Sequence, residues 1–326
     1  MTSKESTYKT LYIIGNGFDL HHKLDTWYSS FGLFLKEHHN DIYEVFLEYY
    51  GFGDLDEDDE ESLKDPLWWQ FEASLAQMDG DLLLENHSDH IPNYASDDFR
   101  DRDRYDIQIY IEDIVNKATL EMRKVFEEFI QNVSYPKLSL EKLINIDNQA
   151  LFLTFNYTDT LERYYKIDRQ NIEYIHNKSG EENELVLGHG IDPKEFEKQE
   201  EKPPEDPEEY ERWTEWMSDN YDYSIERGKD EVRAYFQKSF KPTKDVIVQK
   251  ADFFNKLNQI EKVYILGHSL SQVDMPYFQE IVKNLKGEKQ WIVSYHKESE
   301  KEEKKDNLSS LGIDKTRISL TKMTEI

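Results

Sequence analysis

The sequence predicts an α/β protein with a Rossmann-like, mostly parallel, doubly wound sheet and large helical insertions. Several of its short apolar runs are continuous rather than alternating, as in strands that are covered on both faces. The first run, Leu11–Ile14, leads through a glycine turn into a segment with helical spacing. Polar residues follow four of the predicted strands, and open α/β sheets bind ligands at the carboxyl ends of their strands.

Each candidate strand is a short apolar run bounded by turn residues. In chain order the candidates are Leu11–Ile14, Ala150–Thr154, Ile172–Ile175, Leu185–Leu187, Lys262–Leu266, Trp291–Tyr295 and a weaker one, Arg317–Thr321. The sequence contains no internal repeat, so these strands are expected to form one sheet rather than an array of repeated units.

Helices are predicted between the first and second strands, because aromatic and aliphatic residues recur there at helical spacing. The pattern covers Ser29–Tyr50, Pro66–Met78 and Tyr105–Val133. We expect these apolar stripes to pack in the core. The chain is therefore predicted to be a single α/β domain over residues 1–326, with a helical insertion at 35–135.

A second insertion, at 192–249, is acidic and contains an aromatic cluster. We expect the cluster to pack in the core, with an interface as the alternative; its members are Tyr210, Trp213, Trp216, Tyr221 and Tyr223. Two dense acidic runs, Asp54–Glu61 and Glu195–Glu211, are predicted to be solvated, since neither has the pattern of an EF-hand loop.

The composition excludes several classes of protein. A net charge of −28 repels nucleic acid phosphates and anionic membranes, so we expect neither as a partner. No apolar run reaches the roughly 20 residues that cross a bilayer. No apolar signal region precedes the first strand, and a cytoplasmic protein is predicted. The chain has no cysteine, which rules out disulfides, thiol catalysis and cysteine-ligated zinc.

The first motif that could carry chemistry is the turn Gly15–Gly17, which follows the first strand and has Asp19 nearby. Glycine lets the backbone approach a phosphate, and the start of a helix presents unpaired N–H groups to an anion. The turn lacks the third glycine of the dinucleotide fingerprint. A phosphate site is one interpretation, and an ordinary strand–turn–helix is the other.

The second motif follows the second strand. Thr154 ends that strand, and Asn156, Thr158 and Asp159 come directly after it. Capping of the next helix by Thr158 or Asp159 is expected. Capping does not explain Asn156, which is therefore a candidate ligand-binding residue.

Histidines follow three further predicted strands. His176 comes after the third strand, where a histidine can act as a general base near neutral pH. His189 lies between two glycines. The turn after Lys262–Leu266 supplies the last candidates, which are Gly267, His268, Ser269 and Asp274. Because parallel strands end at one edge of a sheet, we expect these clusters to converge.

Together the motifs resemble those of the AbiH family of bacterial phage abortive-infection proteins. The resemblance rests on GNGFDL with TWYSSF, LTFNYTDTLERYY, LGHG and LGHSLSQVDMPYF, which span most of the chain. It implies a role in phage defence. It also leaves room for a phage-derived trigger or partner protein and for a homo-oligomer, with the aromatic cluster of the second insertion as the candidate interface.

Beneath this lies a resemblance to the sirtuin-type NAD-binding fold, so the domain is expected to be sirtuin-like. Gly15–Gly17 is similar to the sirtuin phosphate turn. Thr154 and Asn156 match its T-x-N-x-D segment, and His176 has the spacing of its histidine–glycine pair. The sirtuin turn beside the adenosine is similar to Gly267, Ser269 and Leu270.

The resemblance implies a role for each of these residues. Asn156 would orient a ribose hydroxyl or a water, and His176 would be the general base. Gly15–Gly17 would hold the pyrophosphate, with Ser269 and Asp274 beside the adenosine. The implied nucleotide-binding set as a whole is Gly15, Asn16, Gly17, Asp19, Thr154, Asp159, Gly267, His268, Ser269 and Asp274.

The sequence also departs from the sirtuin pattern. Asp159 stands three positions after Asn156 rather than two, and Asn177 replaces the glycine expected after the histidine. Without cysteine there is no zinc ribbon, so protein deacylation is not expected. The remaining chemistry is hydrolysis of NAD at the nicotinamide–ribose bond, whose oxocarbenium-like state an amide, a carboxylate and a histidine could stabilise. NAD would be the substrate, and no metal is predicted.

Three other functions remain open. A non-catalytic sensor would bind NAD or a related nucleotide, and His176 would only donate or accept a hydrogen bond. A metal-dependent nuclease or phosphodiesterase would use histidines and aspartates, which are Asp19, His21, His176, His189, His268 and Asp274. An α/β-hydrolase elbow at 267–271 would need glycine where Ser271 stands. The sequence assigns no role to His21, His22 and His189.

Overall fold

The computed structural model describes residues 8–139, 143–197 and 203–326. At its centre lies a six-stranded parallel sheet with the strand order β3-β2-β1-β4-β5-β6. This order reverses between β1 and β4, as in doubly wound Rossmann-type sheets, so the predicted fold class is confirmed. The strands are β1 (Thr10–Ile14), β2 (Leu151–Thr154), β3 (Ile172–Tyr174), β4 (Lys262–Leu266), β5 (Gln290–Tyr295) and β6 (Ile318–Lys322).

Helices surround this sheet. In chain order they are α1 (Asn16–His21), α2 (Tyr28–His38), α3 (Asn40–Tyr50), α4 (Pro66–Trp69), α5 (Phe71–Ser74), α6 (Gly80–Asn86), α7 (Asp106–Asn116), α8 (Met122–Asn132), α9 (Thr160–Tyr165), α10 (Pro207–Asn220), α11 (Tyr223–Lys238), α12 (Thr243–Gln249), α13 (Ala251–Asn255), α14 (Met275–Asn284) and α15 (Glu300–Ser310). A π-helical turn at Lys117–Glu121 joins α7 to α8.

Both faces of the sheet are covered. Leu11 and Ile13 of β1 pack on the side of α13, α14 and α15. Tyr12 and Ile14 point to the opposite face, where they pack with Phe18 of α1 and residues of α9. Burial on both faces explains why the strands read as continuous apolar runs.

The ends of three strands lie at the same level. Ile14 of β1 pairs with Thr154 of β2 on one side and with Leu266 of β4 on the other. The residues that follow β1, β2 and β4 therefore emerge together at one edge of the sheet, and this register positions the site.

One predicted strand is wrong. Leu185–Leu187 forms no strand, because Leu185 and Leu187 are buried in a core of helices instead. The backbone of this segment also bonds outside the sheet: Val186 donates its N–H to the His176 carbonyl at 2.9 Å. The other six predicted strands begin and end within one residue of the observed bounds.

A second core lies beside the sheet. Buried aromatic rings from the helices between β1 and β2 form most of it, and α11 contributes Tyr235 and Phe236. Residues of both predicted insertions therefore share one core. The division of the chain into a domain with insertions at 35–135 and 192–249 stays a prediction.

The helices of this core are shorter than their sequence patterns. Ser29–Tyr50 divides at His39, where the backbone leaves helical geometry (φ −141°, ψ 55°). Pro66–Met78 divides at Gln70 in the same way. Tyr105–Val133 is helical through most of its length, as predicted.

The predicted burial of the second aromatic cluster is wrong for three of its members. Tyr210, Trp216 and Tyr221 are 47%, 55% and 59% exposed. Because nearly half the residues of α10 are charged, this helix is too polar to be buried. Asp54–Glu61 is solvated as predicted, apart from Leu55, whereas Glu195–Glu211 lies partly outside the described residues. No helix in the described part of the chain has the length and hydrophobicity to span a bilayer.

Candidate functional site

A cleft of about 1570 Å³ opens at the carboxyl ends of β1, β2 and β4. It lies where the strand order reverses, which is the usual ligand position in open α/β sheets. Two of the predicted site residues, Thr154 and Asp159, do not line the cleft. The predicted residues that do line it are Gly15, Asn16, Gly17, Asp19, Asn156, His176, Gly267, His268, Ser269 and Asp274.

The two glycine turns of the cleft pack directly against each other. Gly15 donates its N–H to the Leu266 carbonyl at 3.0 Å, and Gly17 donates to the Gly267 carbonyl at 2.8 Å. A Cβ on Gly17 would lie 2.9 Å from the Gly267 Cα. Gly267 has a φ of +69°, and a Cβ there would lie 2.1 Å from the backbone nitrogen of Phe18. This packing requires glycine, and it occupies two N–H groups of the predicted phosphate turn. The pyrophosphate role of Gly15–Gly17 stays a prediction.

Asn16 positions the loop at the rim of the cleft. Its side-chain Nδ2 donates to the Thr26 carbonyl at 2.8 Å, and its Oδ1 accepts from the Thr26 hydroxyl at 2.6 Å. These two bonds fix the residue that directly precedes Trp27. Asn16 therefore holds protein backbone in the structure.

Asp19 is buried at the floor of the cleft. Its carboxylate accepts hydrogen bonds from the hydroxyls of Thr158 at 2.5 Å and Thr160 at 2.6 Å. Burial raises the pKa of Asp19 to about 6, although these hydroxyls lower it in part. The predicted capping of α9 is wrong, because Thr158 bonds Asp19 and the side chain of Asp159 accepts from Arg163 at 2.6 Å instead.

Asn156 presents an unsatisfied amide to the cleft. The Thr154 hydroxyl accepts its backbone N–H at 3.1 Å, which fixes the turn after β2. Its side chain lies close enough to Asp19 to lower the pKa of that carboxyl, without meeting hydrogen-bond geometry. Neither polar atom of this buried amide has a hydrogen-bond partner within the described ranges. Buried polar groups are normally paired, so this amide is poised for a ligand or a water.

His176 presents the second unsatisfied polar group of the cleft, its ring nitrogen Nε2. Nδ1 lies 3.3 Å from the Phe155 carbonyl, which can only accept, so the proton is assigned to Nδ1. Nε2 then carries the lone pair, lies 3.6 Å from Oδ1 of Asp274, and has no hydrogen-bond partner among the residues described. Burial, helped by Lys241, holds the pKa of His176 well below its usual value, so the ring is neutral at pH 7. Asn177 has a φ of +66°, a conformation that asparagine tolerates in place of the expected glycine.

His268 has the opposite tautomer. Its Nδ1 accepts the Leu270 N–H at 2.9 Å, so its proton is on Nε2, which lies 3.6 Å from Oδ2 of Asp274. Burial lowers the pKa of His268 to about 4. Two neutral histidines therefore flank one carboxylate, and only His176 directs a lone pair toward it.

The most buried charge of the site is one that the sequence analysis missed. Lys241 is fully buried, and its Nζ donates to Oε2 of Glu72 at 2.5 Å and to Oδ1 of Asp274 at 2.9 Å. Glu72 also accepts from the Tyr28 hydroxyl at 2.7 Å. We call Glu72, Lys241 and Asp274 the ion triad. No local pattern marks Lys241 or Glu72, because each is a single charge inside an insertion.

The ion triad sets the charge of Asp274. Burial alone would raise the pKa of Asp274, but the Lys241 ammonium brings it below its usual value. Asp274 is therefore ionised at neutral pH. Burial and Asp274 raise the pKa of Glu72, and Lys241 opposes them.

The histidines without a predicted role divide into two kinds. His22 bonds the Phe18 carbonyl and the Tyr165 hydroxyl, each at 2.6 Å, and His189 bonds the Phe236 carbonyl at 3.1 Å. Both are buried and structural. His21 lines the cleft. In the described ranges, no group of three or more histidine and acidic residues could hold a metal ion.

Comparison with known proteins gives one match. The sequence model of the family described as bacteriophage abortive infection AbiH matches residues 11–295, a range that contains every site residue discussed above. No curated protein and no solved structure matches the chain. The likeness to sirtuins therefore stays a prediction. The chain belongs to the AbiH family, whose role is bacteriophage abortive infection.

Proposed function

We propose that the protein acts in abortive infection by hydrolysing NAD at the nicotinamide–ribose bond. The observation that carries the proposal is the pair of buried, unsatisfied groups, the Asn156 amide and His176 Nε2, that line one cleft at the strand-order reversal. Ligand pockets are typically about 300–1,000 Å³. The cleft, at about 1570 Å³, is larger and has room for an elongated dinucleotide.

In the proposed reaction these groups act as follows. The bond between nicotinamide and ribose C1′ breaks, the neutral nicotinamide leaves with the electron pair, and positive charge develops on the ribose. Asn156 orients a ribose hydroxyl or the attacking water. The water adds to C1′, and its proton passes to Nε2 of His176. The products are nicotinamide, ADP-ribose and a proton.

Asp274 assists the charge that forms on His176. It is ionised, and its Oδ1 lies 3.6 Å from Nε2 of His176. A carboxylate at this distance stabilises the imidazolium that forms when His176 takes up the proton. Lys241 acts as a positioning residue, since it bonds Asp274 from behind.

The pyrophosphate needs cations, because two N–H groups of the glycine turn are occupied. The lysines that line the cleft meet this need: Lys23, Lys297, Lys304 and Lys322. Lys304 is nearly buried and donates to the His268 carbonyl at 2.6 Å, so its position is fixed.

A sensor that binds NAD without cleaving it is the second candidate. It is favoured by the pKa of His176, which burial holds well below its usual value. A histidine with such a low pKa is a weak base. The binding groups would be the same in both functions, and only turnover separates them.

The decisive experiment measures nicotinamide release from NAD by the purified protein, with and without extract of phage-infected cells. We expect release that is lost in Asn156→Ala and in His176→Ala while far-UV circular dichroism is unchanged. The matched control is His38→Ala, which removes a half-exposed histidine outside the cleft. Binding without release would assign the sensor. Absence of both binding and release under both conditions would overturn the proposal.

A further inference from the structure

Two tryptophans meet at the rim of the cleft. Trp27 and Trp69 both line it, and they are 40% and 49% exposed. Their ring centroids are 5.1 Å apart, with the planes tilted by 37°. Single exposed apolar residues are common on protein surfaces, but adjacent ones in a cleft mark a binding site. Trp68, which precedes Trp69 in the chain, is fully buried and fills the core at this point, whereas Trp69 is half-exposed. The exposed rings are therefore not needed for core packing.

Both rings are held on rigid supports. Trp27 follows Thr26, which makes two hydrogen bonds to the Asn16 side chain. Trp69 ends α4, whose first turn is capped by Asp65, and the adjacent Trp68 donates its Nε1–H to the Gly53 carbonyl at 2.9 Å. A platform that is already ordered loses little entropy when a ligand binds.

A charge beside the pair selects the ligand. Nζ of Lys297 lies 5.7 Å from the centroid of the Trp69 ring. The ammonium disfavours a cationic ring such as the pyridinium of NAD and favours a neutral ring that carries a phosphate. The groups assigned to the nicotinamide end, Asn156 and His176, are buried rather than at the rim.

We propose that Trp27 and Trp69 form a stacking subsite for the adenine ring of the dinucleotide, with Lys297 beside its phosphate. This inference rests on the proposed function and deepens it. The stack recognises a flat, neutral base with a phosphate attached, which adenosine monophosphate presents on its own. Every base has a π-face, so the subsite contributes affinity more than discrimination between bases.

The test is calorimetric titration of the full-length protein with three probes: adenosine monophosphate, nicotinamide mononucleotide and ribose 5-phosphate. Stacking of one base on an aromatic side chain accounts for roughly 5- to 150-fold in affinity. We expect Trp69→Ala to weaken adenosine monophosphate by a factor in this range and to leave the other two probes unchanged. Trp69→Phe should retain most of the affinity. Trp216→Ala, which removes a 55% exposed tryptophan of α10, is the matched control.

The outcomes separate the inference from the proposed function. If adenosine monophosphate binds equally well to the wild type and to Trp69→Ala, the stacking subsite is refuted while NAD hydrolysis stands. A selective loss of nicotinamide mononucleotide would instead assign the pair to the other half of the dinucleotide and overturn the inference. If neither NAD nor any probe binds the wild type, the stacking subsite is refuted, and the proposed function is then decided separately by nicotinamide release with and without extract of phage-infected cells. Trp27→Ala repeats the test should Trp69→Ala prove unfolded.

Discussion

Replacement of Lys241 by methionine tests whether the ion triad holds the site together. Methionine keeps much of the length of the side chain and removes the cation. Lys241 is fully buried, so solvent has no direct access to the position of its ammonium group. Glu72 and Asp274, which both bond this ammonium, would be left as uncompensated acids in the interior.

The expected loss of stability follows from this geometry. Removal of one partner from a buried ion pair costs about 3–5 kcal/mol. The lysine bonds two carboxylates, but one of them can escape part of the penalty by taking up a proton. We therefore expect Lys241→Met to lower the free energy of unfolding at pH 7 by about 3–5 kcal/mol rather than by twice that amount.

The loss should also depend on pH. In the variant, Glu72 and Asp274 stay buried without the Lys241 ammonium, and burial then raises the pKa of at least one of these carboxyls above its value in the unfolded chain. Such a group stabilises the fold below its unfolded pKa, and this contribution is lost as the pH rises through the folded pKa. The difference between variant and wild type should therefore shrink as the pH falls from 7 toward 5.

Guanidinium unfolding followed by circular dichroism at pH 7 and pH 5 measures both effects. Glu72→Gln added to Lys241→Met should recover part of the loss, because it removes one of the two stranded charges. Lys283→Met is the control: its side chain is 73% exposed, and its ion pair with Glu280 should contribute less than about 1 kcal/mol. A loss in Lys241→Met as small as in this control, or one that is the same at both pH values, would refute the reasoning.

Two further predictions concern the floor of the cleft. Burial raises the pKa of Asp19 to about 6, so protonated Asp19 stabilises the fold at low pH and this contribution is lost as the pH rises through that value. Asp19→Asn should therefore gain up to about 3 kcal/mol relative to wild type between pH 4 and pH 8 in thermal unfolding, and parallel pH curves would contradict this. Gly267→Ala and Gly51→Ala both place a side chain at a φ near +70°, but only at Gly267 does the Cβ meet backbone. We expect a cost of about 1 kcal/mol at Gly51 and a clearly larger one at Gly267 in chemical unfolding, and equal costs would show that the turns do not pack as described.

The sheet could be predicted from the sequence because its signal is local. A strand buried on both faces is a short continuous apolar run, and β1 and β4 have that form. The same signal misled at Leu185–Leu187, because burial against helices leaves the same apolar residues as burial in a sheet. The local sequence does not determine whether a short apolar segment is buried in a sheet or against helices.

The site could be predicted only for residues whose position follows from the topology of the sheet. Asn156, His176 and Asp274 follow strands, and strands of a parallel sheet end at one edge, so their convergence needed no knowledge of the insertions. Lys241 and Glu72 reach the same place from distant segments. The sequence around each of them looks the same as the sequence around an ordinary solvent-exposed charge. The role of Gly17 was also out of reach, because close packing of two turns and close approach of a phosphate both require glycine.

The two histidines beside Asp274 cannot exchange roles. The Leu270 N–H occupies Nδ1 of His268, and Leu270 has a φ of +62°, a conformation that costs energy for a residue with a branched side chain. That bond keeps the proton of His268 on Nε2, where it faces the carboxylate and cannot accept another. His176 makes the opposite contact with a carbonyl, which leaves its Nε2 free to accept a proton. The proposed reaction would therefore use His176 rather than His268 to accept the proton, with the substrate hydroxyl or water on the His176 side of Asp274.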